Sequence, residues 1–131
     1  MSLPVAIGFD LTVVGRYQDF YRYSDRQLER IFSKQEIQYC RSDAQKCAQR
    51  FAVRFAAKEA FYKAISSLFE NSSTAKKRPF FLVCRSFSLV AGVGCSAYVD
   101  WDVLKISPCS VLVSVSHEKD MAGAVVILQR I

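Results

Sequence analysis

The segment Arg54-Phe-Ala-Ala-Lys-Glu-Ala-Phe-Tyr-Lys-Ala64 constrains the fold of this chain more than any other feature. Its apolar residues predict a buried helix, but charged side chains interrupt the run. Glu59 and Lys63 are four residues apart, so on a helix they lie one turn apart on a shared face. Burying such charges is costly unless they are paired or take part in chemistry. The segment therefore predicts a long central helix with a functional site on its charged face.

The bulk composition limits the classes of protein that this chain can be. Its 131 residues and 51% hydrophobic content predict a single packed domain, residues 1–131. The net charge of +6 predicts an acidic partner, which could be a nucleic acid, a phosphorylated ligand or an acidic protein. The five cysteines are odd in number and form no CxxC pair, which indicates reduced, mostly buried thiols and a cytoplasmic location. We expect no signal peptide and no membrane-spanning segment.

Residue patterns outside the central helix predict the remaining elements. Val5-Ala-Ile-Gly-Phe-Asp-Leu11 alternates as a half-buried strand does, with Asp10 pointing away from the face that carries the large apolar residues. Three capping-box patterns begin at Ser24, Ser33 and Ser42. They predict helices at about 25–32, 34–41 and 43–66.

The second half of the chain is rich in apolar runs that predict strands. The candidate strands are 80–90, 95–104, 110–116 and 121–129, and the last two flank a polar turn, His117-Glu-Lys-Asp120, as in a hairpin. The order of one strand, then helices, then strands predicts an α+β fold. In it, an antiparallel β-sheet packs with a long central helix and shorter helices.

Four side chains suggest phosphate chemistry when they are considered together. Asp10 and Glu59 could supply two oxygen ligands to one divalent cation, since Mg²⁺ commonly binds one or two carboxylates plus substrate phosphates. Lys63 could contact the same phosphate as a point charge. His117 is predicted at a strand end, where a functional imidazole is often presented. Taken singly, each residue has an ordinary structural role, such as an exposed i,i+4 ion pair for Glu59 and Lys63.

The motifs in combination resemble those of the 4'-phosphopantetheinyl transferase superfamily. Ile7-Gly-Phe-Asp10, Arg54-Phe-Ala-Ala-Lys-Glu-Ala-Phe61 followed by Lys63-Ala64, and Ser114-Val-Ser-His117 carry the resemblance. Their order and the chain length are similar to the short bacterial holo-[acyl-carrier-protein] synthases, over about residues 4–130. The resemblance implies transfer of 4'-phosphopantetheine from coenzyme A to a serine of apo-acyl carrier protein, for fatty acid biosynthesis. It also implies release of adenosine 3',5'-bisphosphate and the use of Mg²⁺.

The resemblance also implies a role for each matching residue. Asp10 and Glu59 would be the metal ligands. Glu59 and Lys63 would be the catalytic residues, with the identity of the general base left open between Glu59 and a metal-ordered water. Lys63 would contact the coenzyme A phosphates, and His117 would lie beside the phosphates of the nucleotide.

The partners implied by the resemblance fit the basic charge of the chain. Members of the family bind the acidic acyl carrier protein with arginines of the first helical region, and Arg16, Arg26 and Arg30 fall in that region. The short members are homotrimers with active sites between subunits, so we expect a homotrimer here. We expect neither a membrane nor a nucleic acid as partner.

The sequence departs from the family pattern at three places. Val53 replaces the glycine that commonly precedes the motif arginine, and Ser66-Ser-Leu-Phe69 stands where a Gly-Thr-Gly turn is usual. Gly92-Val-Gly94 is the nearest match to the Gly-Lys-Pro segment that holds adenine, so we assign no adenine contacts. Two alternatives therefore stay open: a non-catalytic protein that binds coenzyme A or the carrier, and a basic nucleic-acid-binding domain.

Overall fold

A 23-residue helix packs on one face of an antiparallel sheet in the computed structural model, which describes residues 5–69, 78–90 and 96–131. The elements in chain order are β1 (Val5–Val13), 3-10 helices at Val14–Tyr17 and Phe20–Arg22, α1 (Asp25–Leu28), α2 (Lys34–Arg41), α3 (Cys47–Phe69), α4 (Phe80–Ser86), β2 (Phe87–Val90), β3 (Ser96–Val99), α5 (Trp101–Leu104), β4 (Cys109–Glu118) and β5 (Met121–Arg130). The sheets have the strand orders β1-β5-β4 and β2-β3, and their pairs are antiparallel. The predicted α+β fold with a long central helix is therefore confirmed.

Small residues on β1 allow this strand to lie directly on α3. Ala6, Gly8 and Asp10 share the face that is turned toward the helix, and both Ala6 and Asp10 are buried. A Cβ atom on Gly8 would lie 1.8 Å from the backbone oxygen of Ala60, so only glycine fits this contact. The close approach brings Asp10, two residues further along the strand, against the charged face of α3.

The large apolar side chains of β1 lie on the opposite, exposed face of the sheet. Val5, Ile7, Phe9 and Leu11 are between 53% and 62% exposed, and Leu112 on β4 is 64% exposed. We call these five residues the outer sheet face. The alternation of β1 correctly predicted that Asp10 points away from the large apolar residues. The buried face is nevertheless the one with small side chains, because β1 and α3 pack too closely for larger ones.

Two of the three predicted capping boxes are present. Ser24 and Ser33 each accept a hydrogen bond from the backbone three residues later and so cap α1 and α2. The third prediction is wrong, since Ser42 is the C-cap of α2 and donates to the backbone oxygen of Tyr39. Asp43 instead accepts from the backbone N–H groups of Gln45 and Lys46, and α3 begins only at Cys47. The Ser42 hydroxyl accepts from Arg50 Nη1 at 2.9 Å, while the backbone N–H of Gln45 donates to Asp43.

The predicted strand 80–90 is a helix over its first part. Phe80–Ser86 forms α4 and only Phe87–Val90 is extended. The sequence signal was ambiguous, because a short apolar run fits a buried strand and a buried helix equally well. Pro79 stands at the N-cap of α4, a position where its fixed φ and missing N–H do not interrupt helical hydrogen bonds.

The predicted strand 95–104 also ends in a helix. Ser96–Val99 is extended, and Trp101–Leu104 forms α5, with Asp100 accepting a hydrogen bond from the backbone N–H of Val103. Residue 95 and the Gly92-Val-Gly94 segment lie outside the described residues.

The hairpin of β4 and β5 has a tighter turn than the sequence predicted. His117 and Glu118 belong to β4 and pair with Ala122 and Met121, so β4 extends two residues into the predicted turn, and His117 lies near the strand end as predicted. Lys119 has a φ of 44°, and this left-handed residue closes the turn within two residues.

Two predictions from composition are supported by the described part of the chain. Cys40, Cys47, Cys84 and Cys109 are buried and form no disulfide, while Cys95 lies outside the described residues. Among the described helices, none is long and apolar enough to cross a membrane.

Candidate active site

β1 and α3 bring three of the predicted site residues together. Lys63 Nζ lies 3.1 Å from Asp10 Oδ1 and donates a second hydrogen bond to the backbone oxygen of Phe9 at 3.0 Å. The Asp10 side chain is 9% exposed, whereas that of Lys63 is 52% exposed. Lys63 was expected to act beside Glu59, and the ion pair it forms is with Asp10. The Lys63 ammonium therefore lies at the exposed edge of the site, next to the buried carboxylate of Asp10.

Asp10 and Glu59 form a closely spaced carboxylate pair. The pKa of Glu59 is raised from 4.5 to about 7, first by burial and then by hydrogen bonding with and repulsion from Asp10, while Lys63 and Arg16 oppose the rise. Asp10 Oδ2 is buried, and no hydrogen-bond partner for it occurs among the described residues. A protonated Glu59 or a bound cation would satisfy this oxygen.

The donor set fits a hard divalent cation that shares its coordination with a phosphate. No cluster of three or more His, Cys, Asp or Glu side chains able to hold a metal occurs within the described ranges. Two carboxylates are nevertheless enough for Mg²⁺, which keeps several waters or substrate oxygens among its ligands. The orphaned Asp10 Oδ2 and the raised pKa of Glu59 both mark excess negative charge at this point.

Thr12 and Tyr17 form a buried hydroxyl pair near the carboxylates, and no sequence motif pointed to them. The Thr12 hydroxyl lies 3.0 Å from the Tyr17 hydroxyl, and both residues are buried. Burial is the main cause that raises the pKa of Tyr17, and the charges of Glu59 and Asp10 add to it. Thr12 could have been found from the alternation of β1, which places it on the same face as Asp10.

Lys58 lies on the other side of α3 and has a structural role. It is fully buried, and its Nζ lies 2.8 Å from Glu36 Oε1. The same ammonium donates to the backbone oxygens of Cys84 and Phe87. Burial lowers the pKa of Lys58, and the charge of Glu36 opposes this. Adjacent residues on a helix point about 100° apart, so Lys58 and Glu59 serve different surroundings.

Arg54 is also engaged away from the carboxylates. Its guanidinium lies 4.4 Å from the centre of the Tyr39 ring, and it donates to the backbone oxygen of Arg50 at 3.3 Å. The residue is buried, and its Nε has no partner within the described part of the chain.

The predicted histidine does not join the carboxylates within one chain. Gln49 Nε2 donates to His117 Nδ1, and Gln49 lies in the first turn of α3. Ten residues separate Gln49 from Glu59 along this helix, which corresponds to about 15 Å at 1.5 Å per residue. His117 contacts neither Asp10, Glu59 nor Lys63 by any hydrogen bond or ion pair between described residues.

The three predicted carrier-binding arginines are all exposed. Arg16 lies in the 3-10 helix after β1, Arg26 lies on α1, and Arg30 follows α1. The Arg30 guanidinium lies 5.6 Å from the ring centre of Phe81 on α4. Arg16 is also near enough to lower the pKa of Glu59, so the basic surface begins beside the carboxylate pair.

The chain is similar to known proteins over most of its length. The model of the 4'-phosphopantetheinyl transferase superfamily matches residues 6–109. The chain is similar to a holo-[acyl-carrier-protein] synthase of Treponema denticola, with 31% identity over 130 residues that cover 95% of this chain and 98% of the relative. A second holo-[acyl-carrier-protein] synthase, of Geotalea daltonii, is 29% identical over 126 residues, which are 94% and 96% of the two chains.

Solved structures show the same fold. The acyl carrier protein synthase of Mycobacterium tuberculosis aligns with a TM-score of 0.65 and 27% identity over 96% of this chain and 97% of its own. The ACPS–CoA complex of Chronobacterium ammoniagenes aligns with a TM-score of 0.78 and 21% identity over 98% of each chain. The chain belongs to the 4'-phosphopantetheinyl transferase superfamily.

Proposed function

We propose that this protein transfers the 4'-phosphopantetheine group from coenzyme A to a serine of apo-acyl carrier protein. The products are holo-acyl carrier protein and adenosine 3',5'-bisphosphate, and the pathway served is fatty acid biosynthesis. The observation that carries the proposal is the carboxylate pair of Asp10 and Glu59 beside the half-exposed Lys63. Family membership and the holo-[acyl-carrier-protein] synthase relatives support the same reaction.

Asp10 and Glu59 are the proposed ligands of Mg²⁺. When bound, the cation would neutralise charge on the pyrophosphate of coenzyme A and on the leaving phosphate. The buried, unpartnered Asp10 Oδ2 supports this assignment, because a cation would satisfy an oxygen that the described side chains leave without a donor.

Lys63 and Glu59 are the proposed catalytic residues. The Lys63 ammonium is held by Asp10 and by the Phe9 backbone oxygen, yet half of its side chain stays exposed, so it is available to a coenzyme A phosphate. The proton of the attacking serine hydroxyl would pass to Glu59 or to a water ordered by the cation, with Glu59 serving first as a metal ligand. The nucleophile comes from the carrier, so no nucleophilic side chain of this chain is needed.

His117 is the proposed contact for the phosphates of the nucleotide, contributed by a neighbouring subunit. Within one chain it contacts Gln49, which lies about 15 Å from Glu59 along α3, so a neighbouring subunit is the proposed source of the histidine. The outer sheet face supports assembly into a homotrimer, because an exposed patch of large apolar side chains marks an interaction surface. A closed ring of three copies would cover this face in every subunit and form active sites between subunits.

Arg16, Arg26 and Arg30 are the proposed binding surface for the acidic carrier. Their exposure and the net charge of +6 suit an acidic protein, and charges of this kind act chiefly on encounter rate and salt dependence. The buried, unpaired cysteines support a cytoplasmic location.

The test is intact-mass spectrometry of an apo-acyl carrier protein incubated with this protein, coenzyme A and Mg²⁺, with EDTA as control. We expect a mass gain of one phosphopantetheine group that EDTA abolishes. Failure of transfer with several carriers while coenzyme A still binds would favour the non-catalytic alternative. Failure of both transfer and coenzyme A binding, with nucleic acid copurifying, would favour the nucleic-acid-binding alternative.

A further inference from the structure

The end of β4 and the start of α3 meet through one pair of polar side chains. His117 has the same parity along β4 as Val111, Val113 and Val115, the partly buried residues that pack against the core. Its ring therefore lies on the helix side of the sheet, where Gln49 reaches its Nδ1 atom. The contact spans 68 residues of sequence and joins two separate elements.

The direction of this hydrogen bond determines which ring nitrogen carries the proton. An amide NH₂ group is a donor only, so the Nδ1 atom that receives it must hold its lone pair. A neutral imidazole has one protonated nitrogen, which is then Nε2. The Nε2–H group is consequently a donor that points away from Gln49, and it requires no ring protonation to serve a phosphate.

We propose that Gln49 is a positioning residue that holds His117 in the Nε2–H form, ready to donate to a phosphate of coenzyme A. This inference rests on the proposed function, since it specifies how His117 meets the nucleotide. Gln49 sets both the orientation and the tautomer of the ring, as partners of functional histidines do in other sites. A carboxylate at this position would instead accept from Nδ1–H and would also repel the phosphate.

The neighbouring cationic residues, Arg50 and Arg54, are held by other groups. Arg50, the next residue, donates to the backbone oxygen of Tyr39 and to the hydroxyl of Ser42, at 2.8 and 2.9 Å, and its guanidinium stacks on the Tyr39 ring. Arg54 stacks on the same ring. Among the described residues, the hydrogen bond to the His117 ring comes from Gln49.

The first arm of the test is nitrogen NMR of the protein alone at a pH where the ring is neutral. We expect the two ring nitrogens of His117 to show a protonated Nε2 and a lone-pair Nδ1. In Gln49→Glu the carboxylate can only accept, so the proton should move to Nδ1. A wild-type spectrum with Nδ1 protonated would overturn the inference, because the Gln49 amide would then be turned around.

The second arm is a double-mutant cycle on the dissociation constant for coenzyme A, measured by calorimetry. Gln49→Met should weaken binding by about three- to tenfold, the range for a lost hydrogen bond that orients a ligand group. In the His117→Ala background the same change should have almost no effect, because Gln49 acts through the ring. Gln35→Met, at an exposed glutamine on α2, is the matched control and should leave binding unchanged.

The two arms separate this inference from the proposed function. An equal loss for Gln49→Met in both backgrounds would mean a structural role and would overturn the inference, even if the protein is a transferase. If the wild-type protein binds no coenzyme A, the proposed function fails and the phosphate contact fails with it. The NMR arm would then still decide whether Gln49 fixes the tautomer.

Discussion

Two charged clusters on opposite sides of α3 differ in how well their polar atoms are satisfied. On one side, Lys58 and Glu36 are fully buried, and the ammonium has three acceptors. Glu36 also accepts from the backbone N–H groups of Ser33 and Leu89, so it ties α2 and β2 to the helix. On the other side, Asp10 has an oxygen to which no described residue donates, and the pKa of Glu59 is raised to about 7.

The contrast separates a structural ion pair from the carboxylate pair that we propose to be catalytic. A buried pair is tolerated when further hydrogen bonds satisfy the remaining lone pairs and protons, and that condition holds for Lys58 and Glu36. A carboxylate pair with excess negative charge raises the free energy of the folded protein unless a cation or a proton is present. Of two adjacent residues, Lys58 is thus assigned to stability and Glu59 is proposed for catalysis.

Removing the charge of either carboxylate should have the largest effect of any change considered. Glu59→Gln and Asp10→Asn should each lower kcat/KM for transfer at least about a thousandfold, because the cation and its phosphate lose a ligand. The fold should persist, as judged by circular dichroism. Glu118→Gln, at an exposed carboxylate on β4, is the matched control and should keep full activity. Near-wild-type turnover in either variant at saturating Mg²⁺ would make the metal assignment wrong.

Breaking the buried pair should mainly affect stability. Glu36→Gln and Lys58→Met should each lower the free energy of unfolding by about 3–5 kcal/mol, because the remaining charge is buried without its partner. Urea denaturation measures the loss. The double variant should lose less than the sum of the single losses, since it leaves no unpaired charge. Additive losses would show that the two groups do not interact as the structure indicates.

The stability of the metal-free protein should depend on pH through Glu59. Its pKa is higher in the folded protein than its usual 4.5, so the native state binds more protons than the unfolded state between pH 4.5 and about 7. Stability should therefore fall as pH rises through this range, by on the order of 1 kcal/mol for a partly exposed group. Urea midpoints in EDTA should show this decline for the wild type and a smaller one for Glu59→Gln. Identical pH profiles for the wild type and Glu59→Gln would contradict a raised pKa of Glu59.

Reversing a charge on the carrier-binding surface should have the smallest effect. Arg30→Glu should raise KM for the carrier about three- to fivefold and leave KM for coenzyme A unchanged, because exposed charges contribute modestly. The effect should shrink at high salt. Lys105→Glu makes the same charge change at the end of α5 and serves as control. Equal changes in both KM values would contradict a role of Arg30 in carrier recognition.

The sequence predicted the grouping of Asp10, Glu59 and Lys63 better than it predicted the buried ion pair of α3. The grouping could be predicted because the alternation of β1 and the helical period fix their faces, and because the motifs resemble a known family. The role of Lys58 was missed, since its partners Glu36, Cys84 and Phe87 are distant in sequence. Most faces of α3 are apolar. Local periodicity therefore does not show which face packs against which neighbouring element.

Local sequence patterns also could not show which face of β1 is buried or which residue contacts His117. The small face of β1 is buried because Gly8 allows contact with Ala60, a fact that depends on the distance between strand and helix. Gln49 lies in an unremarkable helical turn, and only the tertiary structure brings it to His117.

The most direct test of the contrast is the response of stability to Mg²⁺ at pH 8. We expect Mg²⁺ to raise the melting temperature of the wild type with increasing concentration, as a ligand of the native state does. We expect no such rise for Glu59→Gln, and an undiminished rise for Glu36→Gln from its lower starting value. If Mg²⁺ leaves the wild type unchanged, or stabilises Glu59→Gln equally, the carboxylate pair is not a cation site.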